Sequence, residues 1–388
     1  MSKWPMVALK ELMGDRIESV DPSKHPDELF DLYSVPSFDQ RVPEKCFGSE
    51  VGSSKKLVQP GDVLLSRIVP HIRRSWVVTR EDGRRLIASG EWIVFRSSRI
   101  DPAWLCHILV GDTFHAQFMQ TVAGVGGSLM RARPNQVASI RIPVPPIEEQ
   151  RRIAAILDQA NKLGAKQRRA LEALSALREA SFLATFGDPA RNPKCWPLVQ
   201  LGTMVESCNY GTSEKASTSG TYPVLRMNNI TYQGEIDMTD LKYMELSKDK
   251  VNRYTVRDGD ILFNRTNSAD LVGKTAVYRG CRSVAFAGYL IRLRVAPGNE
   301  PDYISAFLNS RYGKTVLRSM CKSIIGMANI NAQEIQSIKI PHPPSELQKK
   351  FADSVRMLAA AQSRYRSSLT QLDALFASLQ ARAFAGEL

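Results

Sequence analysis

The segment Ser139-Ile-Arg-Ile-Pro-Val-Pro-Pro-Ile-Glu-Glu-Gln150 returns 198 positions later as Ser337-Ile-Lys-Ile-Pro-His-Pro-Pro-Ser-Glu-Leu-Gln348. The same offset carries Gly61-Asp62-Val63-Leu64 onto Gly259-Asp260-Ile261-Leu262, Arg67 onto Arg265 and Phe186 onto Phe384. Near the start of each copy, Trp4-Pro5-Met6-Val7-Ala8-Leu9 matches Trp196-Pro197-Leu198-Val199-Gln200-Leu201 at an offset of 192, so the second copy carries six extra residues before its Gly-Asp turn. Marks that repeat in one order define a tandem duplication, joined between Gly187 and Cys195.

Each copy has the same internal sequence of elements. Short apolar runs come first: Asp62–Leu65, Trp76–Val78 and Trp92–Phe95, then Asp260–Phe263, Thr275–Tyr278 and Leu290–Leu293. Gly, Pro, Asp and Ser punctuate them, which predicts strands joined by turns. Asp101-Pro102 and Glu300-Pro301 then suit helix starts. After Pro145-Pro146 and Pro343-Pro344 the chain is free of proline over 147–188 and 345–388. Glu148, Glu149 and Glu346 sit where a helix N-terminus favours acids, so both stretches are expected to be long helices of roughly 60 Å. The spacing of Ile156, Ala160, Leu163, Ala170, Leu174, Leu177, Ser181 and Ala184 predicts a heptad seam, with Gln167 as a polar break and Gly164 as an interruption. Its copy runs through Leu358, Ala361, Tyr365, Ser368, Leu372, Leu375 and Leu379. The expected architecture is mixed α/β: two similar globular heads at 1–144 and 188–342, separated by a long antiparallel coiled-coil pair at 145–187 and 343–388, with pseudo-two-fold symmetry.

Composition narrows the function. The chain has 388 residues, 43% hydrophobic, with 52 Lys+Arg against 39 Asp+Glu and a net charge of +13. A core is affordable in length and apolar content, and the positive balance points to a nucleic-acid partner, with an anionic membrane or an acidic protein as the other fits. No stretch has the length and apolarity of a membrane span, and Met1-Ser2-Lys3-Trp4-Pro5 lacks an apolar h-region, so a cytoplasmic protein is expected. Six cysteines show neither C-x-x-C nor Cys/His ligand spacing, so no metal is expected and the thiols are read as buried.

The Trp-Pro starts, the Gly-Asp-[Val/Ile]-Leu turns, the Pro-Pro-x-Glu-x-Gln lead into each helix and the terminal Phe, in ordered duplicate over essentially the whole chain, resemble the specificity subunit of Type I restriction-modification systems, which act in phage defence. The resemblance implies that each head is a target recognition domain reading one part of a bipartite, asymmetric site in double-stranded DNA. It implies that the helices set the spacing and dock two modification (methyltransferase) subunits, with restriction (translocase/nuclease) subunits completing the complex. It also implies that this chain is non-catalytic and binds no cofactor, S-adenosylmethionine (AdoMet) lying in the methyltransferase and ATP and Mg in the restriction subunit. Ser345 and Leu347 depart from the commoner choices after the second Pro-Pro.

Enzymatic readings find little support in the residues. Asp101-Pro102-Ala103-Trp104 is close to an amino-methyltransferase Asp-Pro-Pro-Tyr motif, but its copy Glu300-Pro301-Asp302-Tyr303 keeps only helix-start chemistry. Gly124-Val-Gly-Gly127 lacks a nucleotide-binding context, and Gly273-Lys274-Thr275 has Ser268 where a P-loop needs glycine. The alternatives are a stand-alone DNA methyltransferase or nuclease fragment, which needs an AdoMet or metal site not found here, and a basic coiled-coil adaptor. The expected DNA-reading clusters in the first head are Arg67, His71, Arg73 and Arg74, with Ser128, Arg131 and Arg133. In the second head they are Asn264, Arg265, Thr266, Asn267 and Lys274, with Asn329 and Asn331, and additionally Tyr210, Arg226, Asn228 and Asn229. Arginine pairs with guanine or grips phosphate, and asparagine reads adenine, while any one of them also suits a solvated surface or a turn. The two heads differ in composition at matched positions, which predicts different half-sites.

Overall fold

The computed structural model describes residues 3–14, 17–79, 83–124, 130–267, 273–321 and 328–387. The chain packs as two compact units, one formed by Met1–Gln167 with Ser368–Leu388 and the other by Arg168–Ser367.

In the first unit the strands Ser75–Val77, Val63–Ser66 and Trp92–Phe95 form an antiparallel sheet in that order. A five-stranded mixed sheet has the order Ser19–Val20, Lys55–Leu57, Arg85–Ala88, Leu29–Tyr33, Glu44–Phe47, with Leu29–Tyr33 parallel to Arg85–Ala88. The helix Pro102–Val110 opens where Asp101 accepts the Trp104 N–H at 3.0 Å, so this motif is helix-start chemistry. Met6–Ala8 pairs with Arg141–Pro143 and brings the start of the head to the foot of the long helix Ile147–Phe186.

The second unit repeats this plan. Val205–Tyr210, Leu290–Val295, Ile261–Asn264 and Thr275–Val277 form one antiparallel sheet. Lys242–Met244, Tyr222–Leu225, Val284–Phe286 and Thr255–Val256 form a mixed one. Leu198–Gln200 pairs with Lys339–Pro341 before the second long helix, Ser345–Ala385.

The repeated motifs are structural devices. Gly61 (φ +91°) and Gly259 (φ +85°) turn through the left-handed region, which glycine enters without steric cost. The acid that follows each is buried. Asp62 accepts the Gln59 N–H at 2.9 Å and the Arg96 guanidinium at 2.8 and 2.7 Å. Asp260 accepts the Arg257 N–H at 3.0 Å and the Arg294 guanidinium at 2.9 and 2.8 Å.

The glutamine of each Pro-Pro-x-Glu-x-Gln segment is fully buried. Gln150 accepts the Asp101 N–H at 2.7 Å and donates to the carbonyls of Arg99 and Pro145 at 3.0 and 2.8 Å. Gln348 likewise accepts the Glu300 N–H at 3.0 Å and donates to Pro343 O at 2.9 Å. The motif therefore pins the long helix to its head. Gln150→Leu is expected to destabilise the first unit by about 3 kcal/mol, since three bonds are lost and buried partners are left unpaired. The check is a lower urea midpoint at unchanged slope.

Both long helices are continuous, and each contributes to both units. In the first unit Ile153, Leu157 and Ala383 join a core with Trp104, Ile108, Phe114 and Phe118. Asp158 and Gln380 both meet His107, and further along the first helix Gln167 meets Ser368, further back along the second, so the two segments run antiparallel. In the second unit Gln362 donates to Ser175 at 3.2 Å, and Phe186 packs on Phe351 and Tyr303 at ring distances of 5.2 and 4.7 Å, again antiparallel.

The seam lies one residue away from the expected stripe at several positions. Leu163, Leu177 and Leu375 are 45–50% exposed, and Tyr365 and Ala184 are also exposed. Leu157, Gly164, Gln362 and Phe376 take the inner places. Gln167 is a seam residue, not a break, and the helix passes through Gly164 without interruption. The cysteines also differ from expectation: Cys195 and Cys281 are exposed and the other four half-buried.

Each long helix ends alike. At Gly187 (φ +82°) the chain turns so that the Trp196 indole N–H donates to Phe186 O at 3.3 Å. At Gly386 (φ +79°) it turns against Lys3 and Trp4 so closely that a Cβ there would lie 3.0 Å from the Trp4 indole nitrogen.

Candidate nucleic-acid interface

In the first unit the strand Val63–Ser66 delivers Arg67 to a three-sided backbone shelf. Arg67 N–H donates to Glu91 O at 3.0 Å, and its carbonyl accepts the Ala132 N–H at 2.8 Å. Ile68 bridges to Arg131, and Val69 N–H donates to Met130 O. On this shelf the Glu91 carboxylate accepts Arg67 Nε at 3.0 Å and Arg131 Nη2 at 3.3 Å. A groove of about 650 Å³ opens beside it, lined by Arg67, Gly124, Arg131, Arg133, Asn135 and Gln136. Arg133 is exposed at the start of the helix Pro134–Ser139, and His71 is exposed in the turn after Val69. Val69 holds φ at +48°, a strained conformation for a β-branched residue.

Two expected readers have other work. Arg73 donates to Val110 O at 3.0 Å and to Asp112 at 2.6 Å, clamping the carbonyl end of a helix. Arg74 is largely buried, 3.6 Å from Asp39. Ser128 lies outside the described residues.

The second unit builds the same shelf. Arg265 N–H donates to Tyr289 O at 3.1 Å, its carbonyl accepts the Ile330 N–H at 3.0 Å, and Thr266 pairs with Asn329. The chemistry around it differs. The Arg265 guanidinium lies 4.9 Å from the Tyr210 ring centre, a cation–π contact, and the Tyr210 hydroxyl accepts the Ala332 N–H at 2.9 Å. Thr266 donates to Asn329 Oδ1 at 3.2 Å, and Asn329 is exposed, as is Asn228. Asn267 lies on the short strand opposite Ala328.

The remaining expected readers of the second head are buried or engaged by neighbouring groups. Asn264 is fully buried in its strand, and Asn229 is buried while donating to the carbonyls of Asp237 and Asp240 at 3.0 and 2.9 Å. Neither amide is open to a base edge, which corrects the reading of both as adenine readers. Arg226 is tied to Asp240 at 2.8 Å. Asn331 caps the helix Ala332–Ser337 through the N–H groups of Gln333 and Glu334, both at 2.9 Å. Lys274 donates to the carbonyls of Met227 and Ile230, and burial lowers its pKa. Glu91 and Tyr289, which frame the two arginines, were not anticipated from the sequence.

Among the described residues no cluster of His, Cys, Asp and Glu is arranged to hold a metal, and no helix is long and apolar enough to cross a membrane. Residues 78–173 and 193–362, a segment in each half, match the family described as Type I restriction modification DNA specificity domain. The chain belongs to this family. Among curated relatives, the Type I restriction enzyme EcoKI specificity subunit of Escherichia coli (strain K12) is 26% identical over 283 residues, covering 68% of this chain and 61% of the relative. The StySPI specificity subunit of Salmonella potsdam is 26% identical over 308 residues, covering 74% and 66%. The chain thus matches just under two thirds of the length of these family members. A solved chain from a structural study of complex assembly and conformational transition in the type I R-M system shares the fold, with a TM-score of 0.61 at 22% identity, over 99% of this chain and 98% of that one.

Proposed function

We propose that this specificity-family chain is the non-catalytic, sequence-reading subunit of a Type I restriction-modification complex, working in the cytoplasm. Each head reads one part of a bipartite, asymmetric target in double-stranded DNA. The helices dock two modification (methyltransferase) subunits, and restriction subunits complete the assembly. AdoMet belongs to the modification subunits and ATP and Mg to the restriction subunits. The observation that carries this reading is the duplicated shelf: one arginine in the same backbone setting in each head, with different chemistry around it, inside two matched family segments. The net charge of +13 supplies the sequence-independent attraction to DNA.

The test is to co-express the chain with a modification subunit, select from a randomised duplex library, and titrate the isolated chain with AdoMet by calorimetry. A split consensus with a fixed gap and no AdoMet heat on the chain alone is expected. Uniform binding of all sequences, or a stoichiometric AdoMet site on the isolated chain, would overturn it.

A further inference from the structure

The offset that relates the two heads places two side chains in register around each shelf arginine. Arg67, Glu91 and Arg131 of the first unit correspond to Arg265, Tyr289 and Asn329 of the second. The correspondence is structural, since both arginines donate their N–H to the carbonyl of the second member and both shelves close with a bridge to the third. The arginine is constant while an acid becomes a phenol and a guanidinium becomes an amide.

Resting on the DNA-reading function above, we propose that these positions are the recognition triplets of the two heads, and that Glu91 is a positioning residue aligning Arg67 and Arg131 for the acceptor edge of a guanine. The carboxylate accepts from Nε of Arg67 and from Nε and Nη2 of Arg131 at 3.0 to 3.4 Å, fixing both planes. Glu91 is about a quarter exposed, and the two arginines a third or more, beside the open groove. A carboxylate here argues against a phosphate clamp, because it repels phosphate and cancels one of the two positive charges. A guanine edge is neutral and presents two acceptors, O6 and N7, so it gains from a fixed fork and loses little from the acid. In the second head the same arginine is held by an aromatic face, with the exposed Asn329 beside it, so that half-site differs.

The experiment uses the full chain with its modification subunit, a random 30-base-pair duplex library as probe, and the variants Glu91→Gln and Arg131→Lys, with circular dichroism to confirm folding. For E91Q we expect preference at one guanine of one half-site to fall by about tenfold or more, while affinity for unrelated duplex rises and its salt dependence steepens by up to about one unit. A merely structural role would weaken recognition across the whole half-site, whereas a positioning role confines the loss to one guanine. Arg131→Lys keeps the charge and loses the fork, so it should lose the same preference at unchanged salt dependence. Unaltered preference in folded E91Q overturns the proposal. Uniform weakening on all sequences by Arg131→Lys, with the guanine preference intact, assigns the pair to phosphate and also overturns it. A wild-type complex with no sequence preference removes the DNA-reading function itself, and the triplets with it.

Discussion

Asp260→Ala is expected to cost the second unit about 3 kcal/mol or more, the range for breaking a buried ion pair by removing one partner. Asp260 is buried and serves two arginines on Leu290–Val295: Arg294 through a bidentate pair, and Arg292, 3% exposed, at 4.0 Å. Pairing with Asp260 raises the Arg294 pKa, whereas burial lowers that of Arg292, so without the acid Arg292 has the harder charge to keep. The equivalent Asp62 serves one guanidinium that is a third exposed, so Asp62→Ala should cost the first unit less. Hydrogen exchange in Ile261–Asn264 and Leu290–Val295 should accelerate in the Asp260 variant and hold in the Asp62 variant. Equal losses for the two variants would count against the buried-charge account.

The second large effect concerns the helix pair. Deleting 166–172 together with 365–371 removes one heptad from each antiparallel partner, preserves the seam and shortens the pair by about 10 Å. If the pair acts as the ruler of the split target, selection from duplexes with fixed halves and variable gaps should recover a gap about three base pairs shorter, since B-form DNA rises about 3.4 Å per pair. The half-site sequences should not change, because both heads remain intact. Three base pairs also turn the duplex by roughly 100°, so overall affinity should fall. Recovery of the original gap by a folded deletion variant would show that the helices do not set the distance.

Fold and site were unequally legible in the sequence. Duplication made a two-fold repeated plan legible, and proline spacing bounded both long helices, because proline breaks helices by a mechanism independent of tertiary context. The seam was harder: a pattern of threes and fours fits two stripes one residue apart, and polar Gln167 looks like an interruption until Ser368 is seen to meet it. Clusters of Arg and Asn marked the shelf positions Arg67, Arg131, Arg265 and Asn329. The same residue types also cap helices and bind carbonyls, so Asn331, Asn229 and Arg73 were indistinguishable from readers until their partners were visible. Glu91 escaped because an acid argues against DNA binding when taken alone, and only its two guanidinium partners give it another meaning.

The closing of Gly386 against Trp4 bears on the order in which the molecule is made. Phe376, Leu379, Ala383 and Phe384 complete the core of the first unit, although they are translated more than two hundred residues after most of it. The second unit draws on one contiguous stretch, Arg168–Ser367. During synthesis the head that emerges first must therefore wait with an unfinished core while the later one can finish. Stalled ribosomes presenting the chain to residue 367 on an unstructured linker long enough to clear the exit tunnel should carry a protease-resistant second unit and a first unit still open to cleavage.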